Sequence, residues 1–292
     1  MKKAGPFFFT FIPFLLVMGI QFFALFFLMG ISSIVEGGWY AFSGNDSVTD
    51  VFRDLTYLWS SQNFNTGVML VYSLLTTAIF GIWYYAGYGG NYRPAPRTVF
   101  HPLTFLGILL LVPGMQYLCT YIVNFVATIF PRWLEAYTEL LEAAGLDESI
   151  TIGLFLYSVL LAPICEELVF RGITLRQAQK FFPFWAANIF QAVLFGAFHM
   201  NMIQGVYTFC VGLVLGFICE KSGSIYNAIF YHILFNFWGT VLSRYIYMGE
   251  SDFAFLFWFI FAIVTTLGGF LACTAGTRRA KKRSTKAQGQ TF

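Results

Sequence analysis

Six polar residues lie inside hydrophobic stretches of the chain at fixed spacings. They are Glu166, Glu167 and Arg171, then His199, then His232 and Asn236. An ionisable side chain at membrane depth costs about 2.5–3.5 kcal/mol on insertion, so a chain that keeps two carboxylates and two imidazoles there carries a candidate functional site. A carboxylate beside an imidazole can act as a general base on water. The residue types therefore point first to hydrolysis.

The two adjacent carboxylates have different expected roles. Glu167 and Arg171 are four residues apart with the acid first, which is the favourable order for an ion pair on a helix. Glu166 is displaced by about 100° around the same helix and is therefore less well placed than Glu167 to pair with Arg171. We therefore expect Glu167 to be charge-compensated and Glu166 to face a cavity as the base.

The remaining polar residues lie on two further helices. His232 and Asn236 are four residues apart and project from one helical face, and His199 follows Phe195 by one turn. Each pair alone would equally fit an ordinary interhelical hydrogen bond in a membrane bundle. Their occurrence on three helices of one half of the chain favours a shared site.

The midpoint between Glu166 and His199 falls at residues 182–183. A helical hairpin that turns there would bring the two side chains to the same height. This requires either that residues 171–181 continue as helix or that the turn after His199 is sunk in the bundle. The sequence leaves both alternatives open.

Composition predicts the elements that must position these residues. The chain of 292 residues is 58% hydrophobic and only 11% charged, whereas soluble proteins are about 25% charged. Apolar runs long enough to cross the bilayer recur along it. We predict an all-α, polytopic transmembrane helix bundle of about eight spans, at residues 7–34, 66–88, 103–130, 151–170, 182–200, 204–219, 225–243 and 253–275. The five cysteines lie in or beside these spans without a CxxC pair, which indicates buried apolar residues rather than a metal site.

Charge distribution predicts the orientation, because Lys and Arg concentrate on the cytoplasmic side. Placing both termini inside puts most basic residues inside and most acids outside. Residues 132–146 have an apolar face opposite Glu135, Glu139 and Glu142, as an interfacial helix would. The segment 36–65 is expected to be an outer loop with some local structure. The predicted division is 1–130, three N-terminal spans; 131–150, an outer interfacial amphipathic helix; 151–243, a catalytic core of four spans; 244–276, the last span; and 277–292, a basic cytoplasmic tail.

Two packing features are predicted within the core. Pro163 should free the carbonyl group of Val159 and bend the fourth span just before Glu166. Gly212 and Gly216 form a GxxxG pair, which lets two helices approach closely.

The three groups of polar residues resemble the motifs of the CPBP family of intramembrane proteases. That family includes the CAAX prenyl endopeptidases and the Abi proteins linked to bacteriocin self-immunity. The chain carries the three motifs in order over about residues 150–240, EExxxR as Glu166-Glu167…Arg171, FxxxH as Phe195…His199 and HxxxN as His232…Asn236.

The resemblance implies peptide-bond hydrolysis within the bilayer. By analogy, Glu166 and His199 would activate a water molecule. His232 and Asn236 would stabilise the developing oxyanion, a role that is strong in a low-dielectric site. The implied partners are membrane lipids and a membrane-associated peptide or protein, such as a prenylated or leader-peptide substrate. No nucleic-acid partner is indicated, and the expected location is the cell (plasma) membrane.

A metal ion is also implied, because the family is usually described as metalloproteases. Zn²⁺ accepts carboxylate and imidazole ligands, and the candidates here are Glu166, His199 and His232. The chain has no HExxH motif. A metal-free water activated by glutamate accounts equally well for the same residues.

Two functions other than proteolysis are compatible with the same polar residues. One is a non-catalytic bacteriocin immunity or scaffold protein, in which the cluster only holds the bundle together. The other is a proton-coupled transporter, in which Glu166, His199 and His232 form a relay. The sequence shows no inverted repeat of the kind that many transporters carry.

Overall fold

A computed structural model of the chain describes residues 7–43, 47–88, 101–143, 150–246 and 248–288, without the side chains of residue 143 and residues 279–288. The described residues form ten helices. These are α1 (Ile12–Ser43), α2 (Val48–Ser60), α3 (Gln62–Tyr88), α4 (Pro102–Ile129), α5 (Pro131–Ala143), α6 (Ile152–Ala178), α7 (Phe184–Phe198), α8 (Met202–Ser222), α9 (Ile225–Thr240) and α10 (Asp252–Gln288). Short 3₁₀ turns precede α1 at Phe9–Phe11 and follow α9 at Leu242–Tyr245.

The predicted all-α transmembrane architecture is confirmed. Within the described ranges, six helices are long and apolar enough to cross a membrane, namely α3, α4, α6, α8, α10 and α1 with its preceding turn. The helices at the fifth and seventh expected spans are shorter, with 15 residues in α7 and 16 in α9. The inside location of both termini and the division into segments stay predictions.

Helix α6 carries the two adjacent carboxylates and is not a uniform α-helix. It is π-helical over Leu156–Leu161 and again over Leu168–Thr174. The wider turn before Pro163 accommodates the proline, where the sequence predicted a simple bend. The hydroxyl of Thr174 donates to the backbone oxygen of Val169 at 2.8 Å within the second wide turn. Such turns are rare and occur often at functional sites.

Helix α6 also extends past the predicted end at residue 170. Helical structure continues to Ala178, and α7 begins at Phe184 after a short turn. The first of the two alternatives for the hairpin therefore holds, since residues 171–178 add the height that Glu166 needs to meet α7.

Helices α7 and α8 pack closely through small residues. A Cβ atom on Gly196 would lie 2.6 Å from the backbone oxygen of Gly205, and one on Gly212 would lie 3.1 Å from the Cβ of Ala192. The predicted close-packing role of the GxxxG pair is thus confirmed for Gly212. The tight turn between the helices places Met200 at φ +52°, a left-handed conformation that non-glycine residues rarely adopt.

A second close helix pair was not predicted. Helices α4 and α10 run antiparallel, and a Cβ atom on Gly107 would lie 2.7 Å from the backbone nitrogen of Cys273. A Cβ atom on Gly114 would lie 2.8 Å from the backbone nitrogen of Thr266. Glycine is required at both positions because the two backbones nearly touch.

Two shorter helices lie beside the spans. Helix α5 forms within the predicted amphipathic segment and half-buries Trp133 and Tyr137, while residues 144–149 lie outside the described part. Helix α2 lies within the segment 36–65, which was expected to be an outer loop with some local structure. It is tied to α1 by a hydrogen bond from Tyr40 to Asp54 and by one from Trp59 Nε1 to Ser32 Oγ at 2.9 Å.

Candidate active site

The ion pair that the sequence predicted is present at the centre of the bundle. Arg171 Nη1 donates to Glu167 Oε1 at 2.8 Å, and both side chains are fully buried. A buried charge is costly unless it is paired and hydrogen-bonded. Arg171 therefore neutralises Glu167 and lets α6 keep a carboxylate in the interior.

The same carboxylate oxygen holds an imidazole from α9. His232 Nδ1 lies 2.9 Å from Glu167 Oε1, and the other ring nitrogen, Nε2, lies 3.7 Å from Glu166 Oε2. We assign the Nδ1 proton to this bond because a carboxylate only accepts. His232 thus stands between the two acids, with Nδ1 held by Glu167 and Nε2 turned toward Glu166.

The second imidazole is oriented in the same way by a backbone group. His199 follows the last residue of α7 and is half-buried. Its Nδ1 lies 2.9 Å from the backbone oxygen of Phe195, so Nδ1 carries the proton in that bond. Neutral His199 therefore presents an unprotonated Nε2 to its surroundings.

The ring of Phe195 joins the three helices. Its centroid lies 4.3 Å from Arg171 Cζ, a cation–π distance. Its centroid lies 5.0 Å from that of His199 and 5.9 Å from that of His232, edge to face in both cases. The phenylalanine of the second motif is thus the contact through which α6, α7 and α9 meet.

The amide of Asn236 bonds to one of the wide turns of α6. Its Nδ2 donates to the backbone oxygen of Ser158 at 2.8 Å. That bond uses one of the two amide hydrogens, and the second remains as a donor. All six polar residues singled out from the sequence therefore lie on α6, on α9 or at the end of α7, joined by these contacts.

The donor set does not fit the zinc site that the resemblance implies. Among the described residues, no three His, Cys, Asp or Glu side chains come together as ligands for a metal ion. A catalytic zinc ion normally has three protein ligands. Glu166 and His232 instead face each other directly, with Oε2 and Nε2 separated by 3.7 Å.

Sequence reasoning did not single out Gln191 and Asn188, which lie on α7 and are fully buried. A signal was available, because both are amides inside an apolar helix and Gln191 precedes Phe195 by one turn. Their hydrogen bonds reach Gly212, Leu213 and each other.

Comparison with known proteins matches the segment of the chain that carries the motif residues. Residues 148–238, less than half of the chain, match the family model described as type II CAAX prenyl endopeptidase Rce1-like. The matched segment contains α6, α7, α8 and nearly all of α9, and so includes every residue of the cluster. No curated protein and no solved structure matches the chain. The chain is therefore an integral membrane protein in which residues 148–238 are similar to the Rce1-like type II CAAX prenyl endopeptidases.

Proposed function

We propose that the protein is an intramembrane endopeptidase in which Glu166 activates a water molecule to hydrolyse a peptide bond of a membrane-associated substrate. The observation that carries the proposal is the Glu166–His232 pair, with Oε2 and Nε2 separated by 3.7 Å in the buried centre of the bundle. The guanidinium of Arg171 is bonded to Glu167, so the group that faces Glu166 is the imidazole of His232. A carboxylate that is not held by a guanidinium can accept a proton.

In the proposed reaction, Glu166 removes one proton from water as the water oxygen attacks the substrate carbonyl carbon. The carbon–oxygen π electrons move onto the carbonyl oxygen and form a tetrahedral oxyanion. Glu166 then gives the proton to the departing nitrogen as the carbon–nitrogen bond breaks. One peptide bond and one water are consumed, and a carboxylic acid, which keeps the second proton of the water, and an amine are released.

The two imidazoles and the amide have separate tasks in this proposal. His199 accepts a hydrogen bond from the attacking water at Nε2, since its Nδ1–H is held by Phe195. His232, when protonated at Nε2, and the second N–H of Asn236 donate to the oxyanion. Fixed donors of this kind lower the barrier because they need no reorganisation during the reaction.

Whether the protein uses a metal ion can be measured directly. We propose that the water is activated without a metal, because Glu166 and His232 lie directly against each other and, among the described residues, no group of three ligand side chains is placed to hold an ion. Elemental analysis of the purified protein and cleavage before and after treatment with a chelator test this. Stoichiometric zinc together with activity lost on chelation and regained with Zn²⁺ would contradict it.

The proposed partners are membrane lipids and a peptide that is itself held at the membrane, with a prenylated C-terminal CAAX sequence as the first probe. The proposed location is the cell (plasma) membrane. Fractionation of the membranes of the native host tests the location.

The deciding experiment uses a fluorogenic prenylated CAAX peptide and the protein in proteoliposomes. Glu166→Gln should abolish cleavage while the protein still inserts and folds, because an amide cannot accept the proton. The matched control is Glu220→Gln, since Glu220 is a carboxylate in the same family segment whose Oε2 accepts from Gln179 at 3.0 Å, away from the cluster. Cleavage by the control should match that of the unmodified protein.

The alternatives predict different results in the same vesicles. A proton-coupled transporter would show proton-dependent flux without peptide cleavage. A non-catalytic immunity or scaffold protein would keep its full biological effect when both Glu166 and His199 are replaced by alanine. Full cleavage by Glu166→Gln would overturn the proposed mechanism.

A further inference from the structure

The interface between α7 and α8 contains a buried polar pair that the proposed chemistry does not use. Gln191 and Asn188 have no exposed surface and lie opposite the small residues of α8. Buried amides are costly unless they are hydrogen-bonded, and they are worth explaining individually. Their bonds lead toward the candidate active site.

The amide of Gln191 and the guanidinium of Arg171 share one acceptor. Gln191 Nε2 donates to the backbone oxygen of Gly212 at 3.0 Å, and Arg171 Nη2 donates to the same oxygen at 3.3 Å. The carbonyl group belongs to α8, whereas the two donors come from α7 and α6. One backbone oxygen therefore fixes the three helices relative to each other.

Asn188 holds Gln191 in this position. Its Oδ1 accepts from Gln191 Nε2 at 2.8 Å, and its Nδ2 donates to the backbone oxygen of Leu213 at 3.0 Å. The close approach of α8 depends on Gly216, because a Cβ atom there would overlap Asn188 Oδ1. The amide pair is thus built into the interface and has little freedom to turn away.

The network continues from Arg171 to the imidazole that faces the proposed base. Arg171 Nη1 donates to Glu167 Oε1, and the same oxygen accepts from His232 Nδ1. On the other side, the ring of Phe195, one turn after Gln191, lies 4.3 Å from Arg171 Cζ. The guanidinium is therefore held by Glu167, by the Gly212 carbonyl group and by an aromatic face.

We propose that Gln191 is a positioning residue for the hydrolytic site, acting through the shared Gly212 carbonyl group and Arg171 to fix the Glu167–His232 pair. The inference rests on the proposed function. Gln191 itself contacts neither Glu166 nor the site of the substrate; it acts through the orientation of the guanidinium. Partners that orient site residues from behind commonly matter almost as much as the residues that they orient.

The test is Gln191→Met in proteoliposomes with the prenylated CAAX peptide. Methionine fills a similar volume but cannot donate to Gly212. We expect kcat to fall about tenfold, the low end of what loss of an orienting partner causes, while KM stays within about twofold because substrate binding is not touched. We also expect a shift in one limb of the kcat–pH profile, because Arg171 and the carboxylate that it holds are less firmly fixed beside the proposed base.

The matched control is Thr208→Val on α8. Thr208 is buried and polar, but its hydroxyl bonds only within its own helix, to the backbone oxygen of Gln204 at 2.6 Å. Its kcat, KM and pH profile should stay unchanged. If Gln191→Met does not fold, Asn188→Ala provides a milder form of the same change, because it removes the side-chain acceptor that holds Gln191. In this variant kcat should fall by less than in Gln191→Met, and KM should again stay nearly constant.

Two outcomes would overturn the inference. One is an unchanged kcat in a folded Gln191→Met or Asn188→Ala variant. The other is a fall in activity that is proportional to the fall in the amount of folded protein, with an unchanged pH profile. A purely structural role of Gln191 predicts that pattern. Failure of the proposed function is distinguishable, because it appears as no cleavage by the unmodified protein or as full activity in Glu166→Gln. An active unmodified protein and an inactive Glu166→Gln, together with an unaffected Gln191→Met, refute the positioning role alone.

Discussion

Removing one partner of the Glu167–Arg171 pair should destabilise the protein far more than removing both. The two side chains are fully buried and the charged atoms are 2.8 Å apart. Taking away one member of a buried pair leaves an uncompensated charge, at a cost of about 3–5 kcal/mol. We therefore expect Arg171→Met to lower the free energy of unfolding by about that amount. Glu167→Gln should have a similar effect, although glutamine still offers an acceptor to His232.

The double variant Glu167→Gln/Arg171→Met removes the stranded charge and should recover most of the lost stability, because neutral replacements of buried pairs are often tolerated. Its cleavage activity should not recover, since His232 has lost its anionic partner. The four proteins form a double-mutant cycle, and the coupling energy should be large because the residues are in direct contact.

A surface pair of equal length provides the control. Arg53 Nη1 lies 2.7 Å from Asp50 Oδ1 on α2, but 68% of the Arg53 side chain is exposed. Solvent screens such a pair, so Arg53→Met should change stability far less than Arg171→Met. Unfolding in mixed micelles by titration with SDS, followed by circular dichroism, measures all variants. Equal losses for Arg53→Met and Arg171→Met would refute the argument that burial sets the energy.

Three further predictions concern the stability of the fold. Gly196→Ala should lower the free energy of unfolding by about 1–3 kcal/mol through overpacking, because the added Cβ atom would lie 2.6 Å from the backbone oxygen of Gly205. Gly19→Ala is the control and should leave stability unchanged, because nothing lies within 4 Å of the added Cβ atom. Equal effects of the two substitutions would contradict the argument. Met200→Asn should raise stability by up to about 1 kcal/mol, because asparagine adopts positive φ more readily, and a fall would count against strain at φ +52°. The hydrogen bond from Tyr40 lowers the pKa of Asp54. The bond therefore stabilises the folded protein fully above the usual carboxyl pKa, and this stabilisation is lost as the pH falls through the lowered pKa of Asp54. Tyr40→Phe should therefore flatten the fall in Tm on acidification, and an unchanged slope would argue against the bond.

Features that depend on neighbouring residues could be predicted from the sequence. The spans follow from apolar runs, and the Glu167–Arg171 pair follows from a spacing of four residues within one helix. The amphipathic character of α5 follows from periodicity. In each case the contacts that decide the structure are local or are made with lipid. The composition and hydrophobic periodicity of the segment are therefore sufficient to predict it.

The two π-helical turns of α6 could not be predicted in the same way. Proline at 163 predicted a bend, but the structure has two π-helical turns, one stabilised by Thr174 and one contacted by Asn236 from α9. A wide turn is unfavourable in isolation and persists where tertiary contacts satisfy its backbone groups. The contact from Asn236 comes from a residue 78 positions away from Ser158 in the sequence, where no local pattern indicates it.

The sequence by itself determined which residues could do chemistry and that they lie in membrane-spanning helices, because residue type and hydropathy are properties of each segment alone. The tertiary structure decided which carboxylate holds which ring nitrogen, that Phe195 joins the helices, and that Gln191 and Arg171 meet at Gly212. These contacts join positions such as Glu167 and His232, 65 residues apart. They arise only when small residues let the helices approach closely enough for side chains to select their partners.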